Sequence, residues 1–411
     1  MCDIRSIIKY HHCVELKKLF KRIKIKTYME DRLQMKTRPV MRKWIVLLVI
    51  SVLLLTSLAC GTTSTSTQQS PEENQGQTGP TKTAAPTKTP KPTSTPTPAP
   101  VGLSRSNPFP GTDVVSVPNW DVQIMEIKRG DAAWTDIQAA NMFNEAAPEG
   151  MEYLLLRIHV KSTYADSEEH SIGGCDFDVT GDNLINYTCG ISSVVEPDPQ
   201  LDATLFSGGE SEGWVAFLVG QGETNLILVV DETMNFDSDA KRYIAIDEGA
   251  SVSVSSDLAG IDPTDSGKDR NAPVSMSEKV ITEDWELSVI EVIRGDEAWT
   301  MVQEANQFND PPLDGFEYIA VKLHLRYIGT KDEATYVDNS YFKTTGSAGI
   351  LHDSPFVVVP DPALDASLYP GGECEGWIVV QASKGETNVS LIFEPLFDFG
   401  DGNKRFILIE P

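Results

Sequence analysis

The sequence predicts an all-β protein: two tandem antiparallel β-sandwich domains, each with one short inserted helix, behind a disordered stalk. Three observations predict it. Most of the chain is one segment written twice. Each copy alternates apolar and polar residues with the period of 2 that belongs to a half-buried strand. The segment ahead of the copies is built from Thr and Pro and has nothing with which to form a core.

The chain opens on a basic extension, residues 1–40, and a basic-then-apolar segment, residues 41–59. Residues 1–43 hold 13 Lys/Arg and 4 Asp/Glu, whereas residues 44–411 hold 21 and 56. Between them lie Trp44–Ala59, sixteen residues without a charge. A membrane-spanning helix needs about 20 apolar residues; a signal-peptide apolar region is shorter and follows a basic start, here Met41-Arg42-Lys43. Small residues, Ser57-Leu58-Ala59, then precede Cys60. This pattern resembles a bacterial lipoprotein signal, departing from it at Ser57, where Leu is commoner. The resemblance implies lipidation of Cys60 and an extracytoplasmic protein held at the cell membrane or surface by its acyl chains. An uncleaved signal anchor is the alternative. Residues upstream of Met35 or Met41 fit such a signal poorly; they are read either as a mis-called start or as a cytoplasmic tail whose Lys17–Lys26 run meets anionic lipid.

The stalk covers residues 60–107. Gly61–Pro100 contains 12 Thr and 8 Pro in 40 residues. Repeated Pro favours polyproline II at ~3.1 Å per residue, a semi-rigid spacer of roughly 120 Å.

The first domain is expected over 108–249, a linker over 250–272 and the second domain over 273–411. Trp120–Asn144 returns as Trp285–Asn309 at an offset of 165, and Pro197–Trp214 returns as Pro360–Trp377 at 163. Such a collinear series is a tandem duplication. Within it, Leu154, Leu156, Ile158 and Val160 alternate with polar residues, as do Ile319, Val321, Leu323 and Leu325. Further strands are expected at Trp214–Val219, Leu226–Val230 and Lys241–Ile246 and at their counterparts. One helix follows Arg129-Gly130, with Asp131 and Asp296 expected as N-caps.

The strand starts Gly150-Met151-Glu152-Tyr153 and Gly315-Phe316-Glu317-Tyr318, with Gly209–Trp214 and Gly372–Trp377 later, resemble the telokin-like, immunoglobulin-like domains of unknown function in secreted bacterial proteins. The resemblance covers both copies and implies an immunoglobulin-like sandwich with no catalytic residues.

A net charge of −26 gives no basic footprint for nucleic acid. Six of the seven Trp occupy matched positions and are read as core anchors; a carbohydrate site would need them exposed. Arg129-Gly130-Asp131 and Arg294-Gly295-Asp296 spell an adhesion tripeptide but also make a good strand-to-helix turn. Arg157, His159, Lys322 and His324, with Lys161 and Arg326, form basic rows, either a candidate ligand surface or cross-strand partners of acidic neighbours. Asp198/Asp202, Asp361/Asp365 and Asp398–Asn403 cluster carboxylates that suit calcium or Asx turns. Cys175 and Cys189 are expected to form a disulfide outside the cytoplasm, Ser340 and His352 replacing them in the second copy, and Cys374 to stay a free thiol. No catalytic or metal-ligand set recurs in both copies, so no cofactor is assigned. The expected function is non-catalytic: a lipoprotein presenting two modules to an envelope protein or cell-wall glycan. A calcium-dependent sensor or enzyme using the acidic loops is the alternative.

Overall fold

The structure, a computed structural model, describes residues 100–188, 194–231, 240–395 and 401–410, all of which fall in one unit, Pro98–Pro411. Cys60, its signal and residues 61–99 of the Thr/Pro segment lie outside the described residues. Residues 100–107, expected as the end of a disordered stalk, instead pack on the first repeat, Gly102 O accepting from Tyr243 N–H and Arg105 being fully buried. The first repeat runs β1 (Val115–Val117), β2 (Trp120–Arg129), α1 (Asp131–Ala140), β3 (Met151–Ser162), β4 (His170–Gly173), β5 (Phe177–Thr180), β6 (Asp202–Leu205), β7 (Glu210–Gly220), β8 (Ile227–Val230) and β9 (Arg242–Ala245). The second runs β10 (Val274–Ser275), β11 (Val280–Ile281), β12 (Trp285–Arg294), α2 (Asp296–Ala305), β13 (Phe316–Tyr327), β14 (Thr335–Asp338), β15 (Phe342–Thr345), β16 (Leu351–Asp353), β17 (Asp365–Leu368), β18 (Glu373–Ser383), β19 (Ser390–Phe393) and β20 (Arg405–Leu408).

In the first repeat one sheet has the order β1-β2-β3-β7 and the other β5-β8-β9, with β4-β6 as a separate ribbon. The second repeat has β11-β12-β13-β18 against β10-β20-β19-β15-β16, with the ribbon β14-β17. The period-2 strands explain the layers. Leu154, Leu156, Ile158 and Val160 of β3 meet Phe177, Leu228 and Ile244 of the facing sheet in one core. Ile319, Val321, Leu323 and Leu325 of β13 do the same with Phe342, Leu391 and Ile407. Trp120 and Trp285 are buried in the same two cores.

The opposite face of β3 changes character halfway along. Tyr153 and Leu155 lie under α1, packed against Ala133, Ile137 and Trp214, and the remaining positions carry Arg157, His159 and Lys161. The helix therefore covers only part of that outer face. Its start differs from the expectation: the N-caps are Gly130 and Gly295, not Asp131 and Asp296, and neither N-terminus has a side-chain cap. Both glycines have φ near +60° (55° and 72°), a backbone that aspartate adopts at a cost, so glycine turns the chain. Asp131 and Asp296 become the first helical residues, where their charge faces the positive end of the helix dipole.

A second correction concerns the alignment of the repeats. Tyr187 lies opposite Val179 and His352 opposite Thr344, at the constant offset of 165. His352 therefore takes the place of Tyr187, not of Cys189, and the two-residue deletion comes after it.

The repeats meet through backbone as well as side chains. Segment Leu184–Asn186 adds to the edge of β17: Asn186 N–H donates to Ser367 O and Tyr369 N–H to Leu184 O, both at 2.8 Å. Ile185 bridges to Leu368 and packs against both cores. Arg105 is fully buried here, its Nε 2.8 Å and Nη2 2.6 Å from Asp332 Oδ1, its guanidinium 3.7 Å from the centre of the Tyr369 ring. Tyr243 and Tyr369 meet in the same joint, where burial raises both hydroxyls above their ordinary value.

Candidate functional site

The basic rows face the acidic strand beside them. β3 pairs with β7 so that His159 lies opposite Glu212 and Lys161 opposite Glu210. Arg157 Nε sits 2.5 Å from Glu212, Lys161 Nζ 2.8 Å from Glu210, and His159 Nε2 3.6 Å from Glu210. In the second repeat Lys322 reaches Glu375 at 2.7 Å, His324 reaches Glu373 at 3.1 Å, and Arg326 lies 3.4 Å from both Glu286 and Glu373. The Lys161–Glu210 pair raises the lysine and lowers the carboxylate relative to their ordinary values, chiefly through their hydrogen bond. Each row is thus a ladder of opposite charges along one polar half-face. The ladders stand in reach of water, which screens each pair, so they contribute little to stability.

The tripeptide arginines close a different contact. Arg129 pairs with Glu152 and donates from Nη2 to Glu223 O at 2.9 Å; Glu152 also accepts from Gly222 N–H. Arg294 repeats this with Glu317 at 2.9 Å, Glu386 O and Gly385 N–H. The Glu of each Gly-x-Glu-Tyr start is therefore the anchor that ties the helix entry to the Gly222 or Gly385 turn. Asp131 and Asp296 remain exposed.

Glu223 and Glu386 are buried at matched positions with unlike partners. Glu223 accepts from Tyr187 Oη at 2.6 Å and from Asn183. Burial pushes its carboxyl above the ordinary value despite those bonds. Glu386 accepts from Ala348 N–H and Ser383 N–H and lies 3.1 Å from His352 Nε2. Burial raises it too, but these hydrogen bonds and His352 outweigh it and leave it below the ordinary value.

Trp214 and Trp377 are buried, and Trp134 and Trp299 are half-buried, Trp134 stacked on Tyr153 with ring centres 5.9 Å apart. Gly213 and Gly376, before the two buried tryptophans, admit no side chain: a Cβ would stand 2.3 and 2.5 Å from the backbone nitrogens of Leu201 and Leu364. Asp136, Glu196 and Asp198 border a cleft of about 340 Å³ between α1 and the loop that enters β6. Among the described residues no three His, Cys, Asp or Glu converge on a metal-sized site. Asp398 lies outside them, while Asn403 clamps the start of β12, bonding Thr282 Oγ1 at 2.7 Å and Asp284. Cys175 is disulfide-bonded, and Cys189 lies outside the described residues. Cys374 is free, its thiol pushed up to about 12 by burial. No described helix is long and apolar enough to cross a membrane.

The sequence matches no protein-family model and no curated protein. Among solved structures, a candidate lipoprotein of Bacillus subtilis is similar at 15% identity and TM-score 0.25, over 33% of this chain and 38% of that one. This chain thus spans well under half of that protein's length. An uncharacterised β-sandwich protein of Clostridium difficile matches at 14% identity and TM-score 0.23, over 36% of this chain and 100% of its own. The secreted protein MPT63 of Mycobacterium tuberculosis matches at 9% and 0.23, over 34% and 98%. The all-β architecture rests on the strands and cores above.

Proposed function

We propose that this chain is an extracytoplasmic lipoprotein whose two telokin-like, immunoglobulin-like modules act without catalysis, as binding or architectural units of the cell envelope. One observation carries the reading. The polar groups present in both repeats bind each other: the charge ladders, the Arg129–Glu152 and Arg294–Glu317 anchors and the buried Glu223 and Glu386 all have partners within the fold. Side chains so engaged hold a shape. The lipoprotein-like signal at Cys60 and the Thr/Pro spacer supply the anchor and the reach. A wall glycan or a neighbouring envelope protein is the partner such a displayed surface serves.

A membrane-impermeant protease applied to intact cells tests the reading. Cleavage in the spacer releases a fragment carrying both repeats while a cytoplasmic marker stays inside. Repeats protected until the cells are lysed sink it.

A further inference from the structure

We propose that the joint between the two repeats recurs between chains, so that the open end of the second repeat docks onto the open end of the first repeat of another copy. The joint is heterologous: it uses one face of the first repeat and a different face of the second. A heterologous contact leaves each face unused once and can propagate. Because the repeats are equivalent, both unused faces can be read residue by residue.

On the second repeat, Tyr369 is buried under the first repeat at 1% exposure, whereas its counterpart Phe206 on the first repeat is 61% exposed. Ser207 and Gly208 are exposed where Pro370 is buried and Gly371 half-buried. On the other face, Asn186 is 8% exposed in the joint, and its counterpart Leu351 is 56% exposed. Ile185 packs on both cores, but Ile350 stands 53% exposed. Arg105 is buried; the equivalent Arg270 is exposed. Phe406 replaces Tyr243 and is half-buried.

Each unused face keeps the backbone edge and the apolar residues that the joint uses. β6 pairs with β4 alone among the described strands, so its other edge corresponds to the edge of β17 that takes up Leu184–Asn186. Leu351 N–H and Gly349 O hold the positions of Asn186 N–H and Leu184 O, ready to add a strand to that edge at Thr204 O and Phe206 N–H. Apolar Ile350, Leu351 and Phe406 would meet Phe206. Arg270, which donates to Gly346 O at 2.8 Å in the single chain, would turn over the Phe206 ring as Arg105 covers Tyr369. Ser167 stands at the position of Asp332, and the exposed Asp166, Glu168 and Glu169 around it would supply the carboxylate. The internal joint is strengthened by its tether and by Leu258 of the linker, so the interchain contact is the weaker of the two.

The inference goes beyond the surface-display reading and is tested by chain–chain binding alone, whatever the anchor does. Full chains bearing two different affinity tags are mixed in detergent, and capture of one by the other is measured. Phe206 and Ile350 are exposed, so Phe206→Arg and Ile350→Arg leave the melting transition in place. Wild type captures wild type. F206R no longer captures F206R, and I350R no longer captures I350R, each falling at least tenfold. F206R does capture I350R, because one sound face of each kind survives in that pair. No capture of wild type by wild type overturns the proposal, as does unaltered capture among F206R chains or failure of the mixed pair to bind.

Discussion

Asp332→Asn opens the joint between the repeats without unfolding either. Arg105 is fully buried and, among the described residues, its charge is met by one carboxylate, through Nε at 2.8 Å and Nη2 at 2.6 Å. Removing one partner of a fully buried pair costs about 3–5 kcal/mol. Two features reduce that here. Asp332 is 27% exposed, so water screens part of the pair, and asparagine keeps the accepting oxygen. The remaining loss is about 2 kcal/mol, a roughly 30-fold rise in the open population. Hydrogen exchange reads it directly at the Asn186 and Tyr369 amides, whose acceptors lie across the joint. Both exchange about 30-fold faster, whereas Leu156 and Val321, inside the two sheets, are unchanged. Equal exchange in variant and parent refutes the assigned role of the ion pair, and uniform acceleration refutes a separable joint.

Acid separates the two buried glutamates. The Glu386 carboxyl lies below its ordinary 4.5, so its contribution is present above that pH and lost as pH falls through the lowered value. Glu223 is raised, so its contribution is present below 4.5 and lost as pH rises through the raised value. In urea unfolding the cost of Glu386→Gln therefore grows from pH 3 to pH 7, while that of Glu223→Gln shrinks. Arg129→Ala lowers stability by roughly 1.5–3 kcal/mol through its charge-assisted bonds, and Asp131→Ala by about 0.3–1 kcal/mol; the reverse order in chemical denaturation contradicts the structural reading of the tripeptide. Cys374, pushed up to about 12, stays unlabelled by a thiol reagent at pH 8 until denaturant is added. Millimolar calcium leaves the melting temperature unmoved; a rise of several degrees favours a cation among the acidic loops.

The layers were legible because alternation and duplication are local signals. Leu154–Val160 announce their buried face by spacing, and the second copy repeats it. The helix was legible in place but not in its cap, since only the backbone shows that Gly130 takes a positive φ. The charge ladders were foreseen as one of two readings, because opposite charges on alternating positions pair whenever their strands are neighbours. The Arg129–Glu152 anchor was hidden: its residues are 23 apart and meet only when β2 and β3 pair. The joint was less legible still. Phe206 and Tyr369, or Ile185 and Ile350, are like residues with opposite exposure. That difference comes from the docking of one repeat on the other and leaves no trace in pattern or composition.

Anchored display is tested most directly by mass spectrometry of the mature N-terminus, from cells producing the full chain. Cys60 is the first residue, carrying a diacylglyceryl group, and the Cys60→Ser variant keeps its upstream residues and no lipid. An unmodified Cys60 inside a longer peptide contradicts it.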